Sequence, residues 1–170
     1  MKAIVYTSNT GFTKKYAEIL SKETGIPAFD IKDVRQKIAK IDEIIYMGWL
    51  KAGTVVGFEK AQKEYTVKAV CAVGMAPPDD KSVTAITNHH NIKNAEVFYL
   101  QGGFDMNKLH GFDKFLMKMM LIMVRASISK KEDNSDKNLT KIQMVKYIKN
   151  GVDFVSKENL EPVFTWLAKK

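Results

Sequence analysis

A run of hydroxyl side chains between an apolar segment and an amphipathic one is the most chemically informative feature of the chain. Residues 7–13 read Thr-Ser-Asn-Thr-Gly-Phe-Thr and follow the apolar residues 3–6. We predict a strand over 3–6 and a helix from Phe12, so backbone N–H groups and hydroxyls meet at a helix N-terminus, where the helix dipole favours an anion. The expected ligand is a phosphate group. The alternative is an ordinary strand–helix turn in which Thr10 caps the helix.

Two common nucleotide-binding motifs are missing from this loop. Neither Gly-Lys-Ser/Thr, the end of the Walker motif, nor the dinucleotide fingerprint Gly-x-Gly-x-x-Gly follows the predicted strand. The pattern that is present, Ser/Thr-x-Thr-Gly-x-Thr, resembles the phosphate loop of flavodoxins. The resemblance implies that this loop holds the terminal phosphate of FMN. The residues that it assigns to this role are Ser8, Asn9, Thr10, Gly11, Phe12 and Thr13.

Strand and helix patterns alternate through the N-terminal part of the chain. Strands are predicted at 3–6, 28–31, 41–47, 67–73 and 96–100, and helices at 12–22, 34–38, 54–65 and 81–90. This alternation predicts an α/β fold of the flavodoxin-like type, with a doubly wound, five-stranded parallel sheet and an insertion after the fifth strand. Such sheets bind ligands at the carboxyl ends of their strands. We expect residues 1–170 to form a single domain.

Two further loops follow the third and fourth predicted strands and belong to the same edge of the sheet. They comprise residues 48–53 and 73–77. In flavodoxins the matching loops cover the two faces of the isoalloxazine ring. The resemblance therefore implies a second set of FMN contacts: Gly48, Trp49, Leu50, Lys51, Ala52, Gly53, Gly74, Met75 and Ala76. Together the three loops predict a flavodoxin-like domain that binds FMN non-covalently.

Trp49 and Lys51 also have ordinary explanations. Trp49 either stacks on the flavin or is a half-buried hydrophobic anchor. Lys51 is either a solvated lysine or a cation near the N1/C2=O end of the ring, where it would stabilise the reduced flavin. The loop after the fourth strand has no aromatic residue to cover the second face of the ring, which leaves room for a substrate.

Composition indicates a globular protein of the cytoplasm. The 170 residues are 45% hydrophobic and 27% charged, as in soluble domains. A single cysteine, Cys71, excludes an internal disulfide framework and fits a reducing compartment. Residue 1 leads directly into a predicted core strand, so we expect no signal peptide. Cys71 lies within a predicted strand and is interpreted as a small core residue.

The charge of the chain differs from that of typical flavodoxin carriers, which are acidic. The net charge is +8, so the surface field attracts acidic partners and repels basic ones. The lysines are spread along the chain without a recognition motif, and we expect no nucleic-acid partner. The adjacent His89 and His90 are expected to leave a helix in different directions, so we expect no metal site there.

A long apolar segment follows the fifth predicted strand. Residues 112–124 read Phe-Asp-Lys-Phe-Leu-Met-Lys-Met-Met-Leu-Ile-Met-Val, with basic residues at Lys108, Arg125, Lys130 and Lys131 on either side. As a helix it spans about 20 Å, too short to cross a bilayer. It is either a buried core helix or an interfacial one, and peripheral membrane contact through Phe112–Val124 is one expectation. A polar loop at 129–138 and helices at 137–155 and 160–169 complete the prediction.

The same segment carries a second, narrower resemblance. The pattern Phe/Tyr-Asp-x-Phe-(Leu/Met)-x-Lys-(Leu/Met), here residues 112–119, is similar to that of the flavodoxin-type, menaquinone-dependent protoporphyrinogen dehydrogenases. It implies an FMN oxidoreductase that passes electrons between a reduced donor or substrate and a quinone-like acceptor. The loop around Trp49 and residues 75–81 depart from that enzyme. The alternatives are a non-enzymatic electron carrier that docks onto a redox protein and a binding domain without flavin.

Overall fold

A computed structural model describes residues 1–40, 42–127 and 136–170. Their contacts define two compact units: one contains residues 1–102 and 154–170, and the other contains residues 103–153. The first unit holds the three loops that the sequence selects, and the second holds the long apolar segment. Within the described ranges no helix is long and apolar enough to span a bilayer.

The first unit is built on a central parallel sheet. Its strands are β1 (Ala3–Thr7), β2 (Ala28–Asp30), β3 (Glu43–Lys51), β4 (Thr54–Val55), β5 (Thr66–Gly74) and β6 (Glu96–Gln101). The order is β2-β1-β3-β5-β6, in which every neighbouring pair is parallel, and β4 pairs antiparallel with β3. This is the strand order of the flavodoxin-like doubly wound sheet, whose direction of winding reverses between β1 and β3. The predicted five-stranded parallel sheet is confirmed.

Helices cover both faces of this sheet. They are α1 (Phe12–Thr24), α2 (Phe58–Glu64), α3 (Asp80–His89) and α6 (Glu161–Leu167), with single 3₁₀ turns at Val34–Gln36 and Glu158–Leu160. Successive side chains of a strand point to opposite faces. In β3, Ile44 and Tyr46 pack in the apolar cluster that contains the buried residues of α2 and α3. Ile45 and Met47 pack in the cluster that contains those of α1 and α6.

The middle strands are apolar on both faces because helices bury both sides of the sheet. In β5 the five residues 69–73 are buried, and Cys71 is among them. Burial disfavours the thiolate and raises the pKa of the Cys71 thiol to about 12. Cys71 is therefore an inert core residue, as its place within a strand predicts.

The region after Met47 differs from the prediction. β3 continues through Gly48 to Lys51, and Thr54, which we expected to begin a helix, lies in β4. Ala52 and Gly53 connect the two strands with φ of 49° and 82°, and positive φ at both positions is the mark of a tight type I′ hairpin turn. The helix α2 begins only at Phe58. Ile41, where we predicted the third strand to begin, lies outside the described residues.

The second unit contains two helices and a two-stranded ribbon. The helices are α4 (Gly111–Ser127) and α5 (Asp136–Asn150), and β7 (Gly103–Phe104) pairs antiparallel with β8 (Val152–Asp153). The predicted helix over 112–124 is confirmed with wider bounds. The helix predicted over 137–155 ends at Asn150, because Gly151 adopts a φ of 73° and the chain enters β8. Of the predicted polar loop, residues 129–135 lie outside the described residues, and 136–138 begin α5.

The C-terminal helix is also shorter than predicted. Residues 158–160 form a 3₁₀ turn and α6 covers Glu161–Leu167, where we predicted one helix over 160–169. Leu160 and Val163 are fully buried in the cluster that covers the α1 face of the sheet. Nδ2 of Asn159 donates to the Tyr16 hydroxyl at 2.7 Å and to the Phe154 carbonyl at 2.8 Å. The bond to Tyr16 fixes the C-terminal segment against α1.

Candidate functional site

The loop between β1 and α1 turns tightly and leaves one side open. The backbone N–H of Gly11 donates to Oγ of Ser8 over 3.1 Å, and Gly11 precedes the helix with a φ of +94°. A Cβ added at Gly11 would meet no atom within 4 Å, so this side of the loop faces open space. Gly11, and not Thr10, occupies the cap position, so the interpretation of Thr10 as the capping residue is wrong.

The first turn of α1 has the electrostatic character of an anion site. The first backbone N–H groups of a helix have no acceptor within that helix, and the glycine cap of α1 has no side chain to accept from them. The turn contains no acidic residue that would offset the positive end of the helix dipole. Phe12 and Thr13 are buried in this turn. An anion bound at the start of α1 would be stabilised by the positive end of the helix dipole.

A buried phenol joins this loop to the segment after β4. The Tyr46 hydroxyl donates to the Val56 carbonyl at 2.7 Å and lies 2.7 Å from Oγ1 of Thr7. Because the phenol proton is directed at Val56, the Thr7 hydroxyl donates to Tyr46. A Cβ at Gly57 would clash with Tyr46 and lie 2.6 Å from Oγ1 of Thr7. Burial raises the pKa of Tyr46 well above its usual range, so the phenol stays neutral and keeps its proton.

The hairpin of β3 and β4 divides the residues of the second predicted loop between the two sheet faces. By alternation, Trp49 and Lys51 lie on the face that α1 covers, and Nζ of Lys51 lies 5.8 Å from the centroid of the Trp49 ring. Leu50 lies on the opposite face and packs against the cluster that contains α2 and α3. Ala52 and Gly53 form the exposed tip. The structure therefore separates Leu50 from Trp49 and Lys51.

Gly48 allows close packing at the base of this hairpin. A Cβ there would lie 2.6 Å from Cγ1 of Val55 and 2.8 Å from the Val56 carbonyl oxygen.

Leu50 and Gly53 line a cleft of about 330 Å³. Its other lining residues are Ser82, Ala85, Ile86, His89 and Tyr99. This cleft lies on the α3 face of the sheet, not on the face of Trp49.

The third predicted loop, Gly74 to Ala76, is supported from β6. The Tyr99 phenol is hydrogen-bonded to the Ala76 backbone, and Nε2 of Gln101 donates to the Met75 carbonyl at 3.3 Å. The backbone N–H of Gly102 donates to the Gly74 carbonyl at 2.6 Å. Burial, with the charge of Asp79 as a smaller cause, raises the pKa of Tyr99 and keeps its phenol neutral. The strand next to this loop thus holds its backbone in place.

Asp79 begins the helix that follows this loop. Its Oδ1 accepts from the Ser82 backbone N–H at 2.6 Å, so Asp79 is the N-cap of α3. The hydrogen bonds from Ser82 hold the pKa of Asp79 below its usual range.

Two histidines at the end of α3 contact β4 of the hairpin. The Val55 backbone N–H donates to Nε2 of His90 at 2.9 Å, and Nε2 of His89 lies 3.0 Å from Oγ1 of Thr54. The expectation that these neighbouring side chains diverge is wrong, because both contact β4. Burial lowers the pKa of His90, and the neighbouring His89 adds to the shift. Among the described residues, no group of three or more His, Cys, Asp or Glu side chains could hold a metal ion.

The residues that support the three loops are not among the predicted site residues. These are Tyr46, Tyr99, Gln101 and His90. The two tyrosines gave a usable signal, because each lies within an apolar strand and a buried phenol usually finds a hydrogen-bond partner. Gln101 and His90 act through backbone atoms of distant segments, which no local pattern reveals.

Comparisons with known proteins agree with this architecture. A family model described as a flavodoxin domain matches residues 3–136. A search of curated proteins found no match, and a search of solved structures also found none. The match covers β1 to β6 with all three candidate loops and extends through α4. The chain therefore belongs to the flavodoxin domain family.

Proposed function

We propose that the chain binds FMN non-covalently at the carboxyl ends of β1, β3 and β5. The observation that carries this proposal is the start of α1, where Gly11 faces open space and the first turn contains no acidic residue. This feature follows β1, beside the point where the winding of the sheet reverses, which is the usual ligand position in doubly wound folds. Membership of the flavodoxin domain family supports the same cofactor.

The residues at this edge suit the two chemically different parts of FMN. The phosphate would lie on the open side of Gly11 at the positive end of the α1 dipole, and it would take the hydroxyls of Ser8 and Thr10. The ring would lie between the end of β3, where Trp49 and Lys51 share a face, and the loop from Gly74 to Ala76. The order β1-β3-β5 places these segments on adjacent parallel strands, so one ligand can contact all three.

We further propose that the protein is an oxidoreductase. When bound, FMN supplies a ring that accepts and donates one or two electrons. The chain itself orients the cofactor, and Lys51 places a positive charge beside Trp49, where it would favour added negative charge on the ring. The loop that begins at Gly74 carries no aromatic side chain, so one face of the ring stays open to a substrate.

A reduced donor and a quinone-like acceptor are the proposed reaction partners. The support is the resemblance of residues 112–119 to the corresponding segment of protoporphyrinogen dehydrogenases, because this segment forms the beginning of α4. A porphyrinogen is accordingly the first donor to test, with menaquinone as the first acceptor.

The proposal can be tested on the purified full chain after loading with FMN. We expect anaerobic chemical reduction to bleach the flavin absorbance, and a water-soluble menaquinone analogue to restore it without any second protein. Turnover of a porphyrinogen with that quinone would support the narrower substrate class. Failure of the quinone to reoxidise the reduced protein would overturn the oxidoreductase proposal.

A non-enzymatic electron carrier is the second candidate. The observation that favours it is the net charge of +8, because a strongly basic surface speeds encounter with an acidic redox protein. A carrier would be inert toward quinone and porphyrinogen and would exchange electrons only with its protein partner. The same reoxidation experiment therefore distinguishes the two candidates.

A further inference from the structure

The helix α4 carries a row of large apolar side chains on its outer side. We call Phe115, Leu116, Met119, Ile122 and Met123 the apolar stripe; their side chains are between 46% and 66% exposed. At about 3.6 residues per turn these positions share one side of the helix. Monomeric proteins rarely leave such a continuous apolar surface without a role.

The apolar stripe is not the face with which α4 packs in its own unit. The residues Met117, Met120, Leu121 and Val124 lie on the other side of the helix and are only partly exposed. α4 is therefore apolar on two sides: an inner side that is partly covered and the outer apolar stripe. Packing within the unit explains why the inner side of α4 is apolar, but it does not explain why the apolar stripe is.

Positive charges line one edge of the apolar stripe. Lys114, Lys118 and Arg125 fall within about 40° of one another around the helix, and Lys118 and Arg125 are exposed. Residues 103–153 contain ten Lys and Arg residues against six Asp and Glu residues. An apolar face bordered by basic side chains is the pattern of helices that lie in the interface of an anionic membrane.

We propose that α4 lies along an anionic lipid surface, with the apolar stripe inserted between the headgroups and Lys114, Lys118 and Arg125 against the lipid charges. A helix of 17 residues is about 25 Å long and cannot span the hydrocarbon core, so this contact is peripheral. Met119 and Met123 make the apolar stripe a flexible surface that adapts to disordered acyl chains. The proposal does not depend on FMN binding.

A second copy of the chain is a less suitable partner for the apolar stripe than a lipid surface. The five side chains of the apolar stripe are each about half exposed, so together they present roughly 500 Å² of surface, taking ~200 Å² for a fully exposed large side chain. A stable interface buries about 800 Å² on each partner. Two copies that met through this face would also bring two basic edges together, whereas an anionic bilayer neutralises that charge.

The test measures binding of the full chain to sedimented vesicles of two compositions, phosphatidylcholine alone and phosphatidylcholine with one third phosphatidylglycerol. We expect binding to the anionic vesicles that weakens with salt and at least about tenfold weaker binding to the neutral ones. Ile122→Gln combined with Met123→Gln should lose about tenfold or more in affinity for the anionic vesicles. The matched control is Ile142→Gln, which removes an exposed apolar side chain of α5 and should bind as the unmodified chain does.

A second pair of variants tests the charged edge. Lys118→Gln combined with Arg125→Gln should weaken binding to anionic vesicles about tenfold. Lys60→Gln combined with Lys63→Gln removes the same charge from the exposed surface of α2 and should have a much smaller effect. The proposal is overturned if the full chain binds neither kind of vesicle, if the apolar double variant binds normally, or if the chain instead forms a dimer that this variant abolishes.

Discussion

The Tyr46 hydroxyl lies 2.7 Å from Oγ1 of Thr7 and donates to the Val56 carbonyl. One buried phenol thus connects the end of β1, where the proposed phosphate loop begins, with the segment between β4 and α2. Thr7 pairs with Gly48 in the register of β1 and β3. The candidate site is therefore held by a hydrogen-bond network inside the sheet and not by its loops alone.

Removing this phenol should loosen the site. We expect Tyr46→Phe to lower the free energy of unfolding by about 1–3 kcal/mol, because the Val56 carbonyl loses its buried donor, and to weaken FMN binding several-fold. Urea unfolding and flavin titration provide the two measurements. The control Tyr65→Phe alters a buried tyrosine of the same apolar cluster and should leave FMN affinity unchanged. Equal FMN affinity for both variants would contradict the role assigned to Tyr46.

Gly11 and Gly25 form a matched pair for testing the phosphate loop. Both have positive φ, and a Cβ at either would meet no atom within 4 Å, so alanine at each position should cost about 1 kcal/mol of stability. Only Gly11 belongs to the proposed cofactor site. We expect Gly11→Ala to weaken FMN binding about tenfold or more, since the strained backbone displaces the N–H donors, while Gly25→Ala binds normally. If both variants lose FMN affinity to the same extent, or if neither does, this loop is not the phosphate site.

The histidines at the end of α3 predict a pH dependence of stability. His90 accepts the Val55 N–H in its neutral form, and its pKa in the folded chain lies below the usual value. The unfolded chain therefore binds the proton more readily, so the free energy of unfolding should fall as the pH drops from about 6.5 through the lowered pKa. Above about pH 7 this contribution is constant, because His90 is neutral in both states.

The variant His90→Gln keeps an acceptor for Val55 but cannot titrate. We expect its unfolding free energy, measured with urea at pH 7.5 and at pH 5.5, to fall less on acidification than that of the unmodified chain. His110→Gln alters an exposed histidine of the other unit and should leave the pH dependence as it was. If His90→Gln retains the full dependence, another group is responsible.

The hairpin turn offers a stabilising substitution. Ala52 adopts a φ of 49°, a conformation that asparagine tolerates better than alanine, and Asn-Gly is the preferred pair for a type I′ turn. Ala52→Asn should raise the free energy of unfolding by about 0.5–1 kcal/mol. Asn91→Ala is the reverse change at a residue with a φ of 50° and should lower it by a similar amount. Thermal or urea unfolding measures the stability of both variants. A loss of stability in Ala52→Asn would refute the turn assignment.

Much of the fold could be predicted from the sequence because its signals are local. The apolar runs of the five parallel strands, Gly25 after α1 and Asp79 before α3 each point to the structure observed. The hairpin was missed because its turn is Ala-Gly, which is a weaker signal than Asn-Gly. Without a recognised turn, the sequence predicts that Thr54 begins a helix and that β3 ends before Gly48.

The composition of the candidate site was less predictable than its position. Strand order places the three predicted loops at one edge of the sheet. The sequence does not show that alternation along β3 separates Leu50 from Trp49, because that depends on the strand continuing past Gly48. The roles of Tyr46 and His90 depend on contacts between segments far apart in the chain, which only the folded structure reveals.

The most direct test of the account compares FMN with riboflavin, which has the same ring but no phosphate. Fluorescence titration of the purified full chain should show that FMN binds at least about 100-fold more tightly, because several charge-assisted hydrogen bonds at the start of α1 are made only to the phosphate. Equal affinity for the two flavins, or no uptake of either, would contradict the claim that the N-terminus of α1 is a phosphate site.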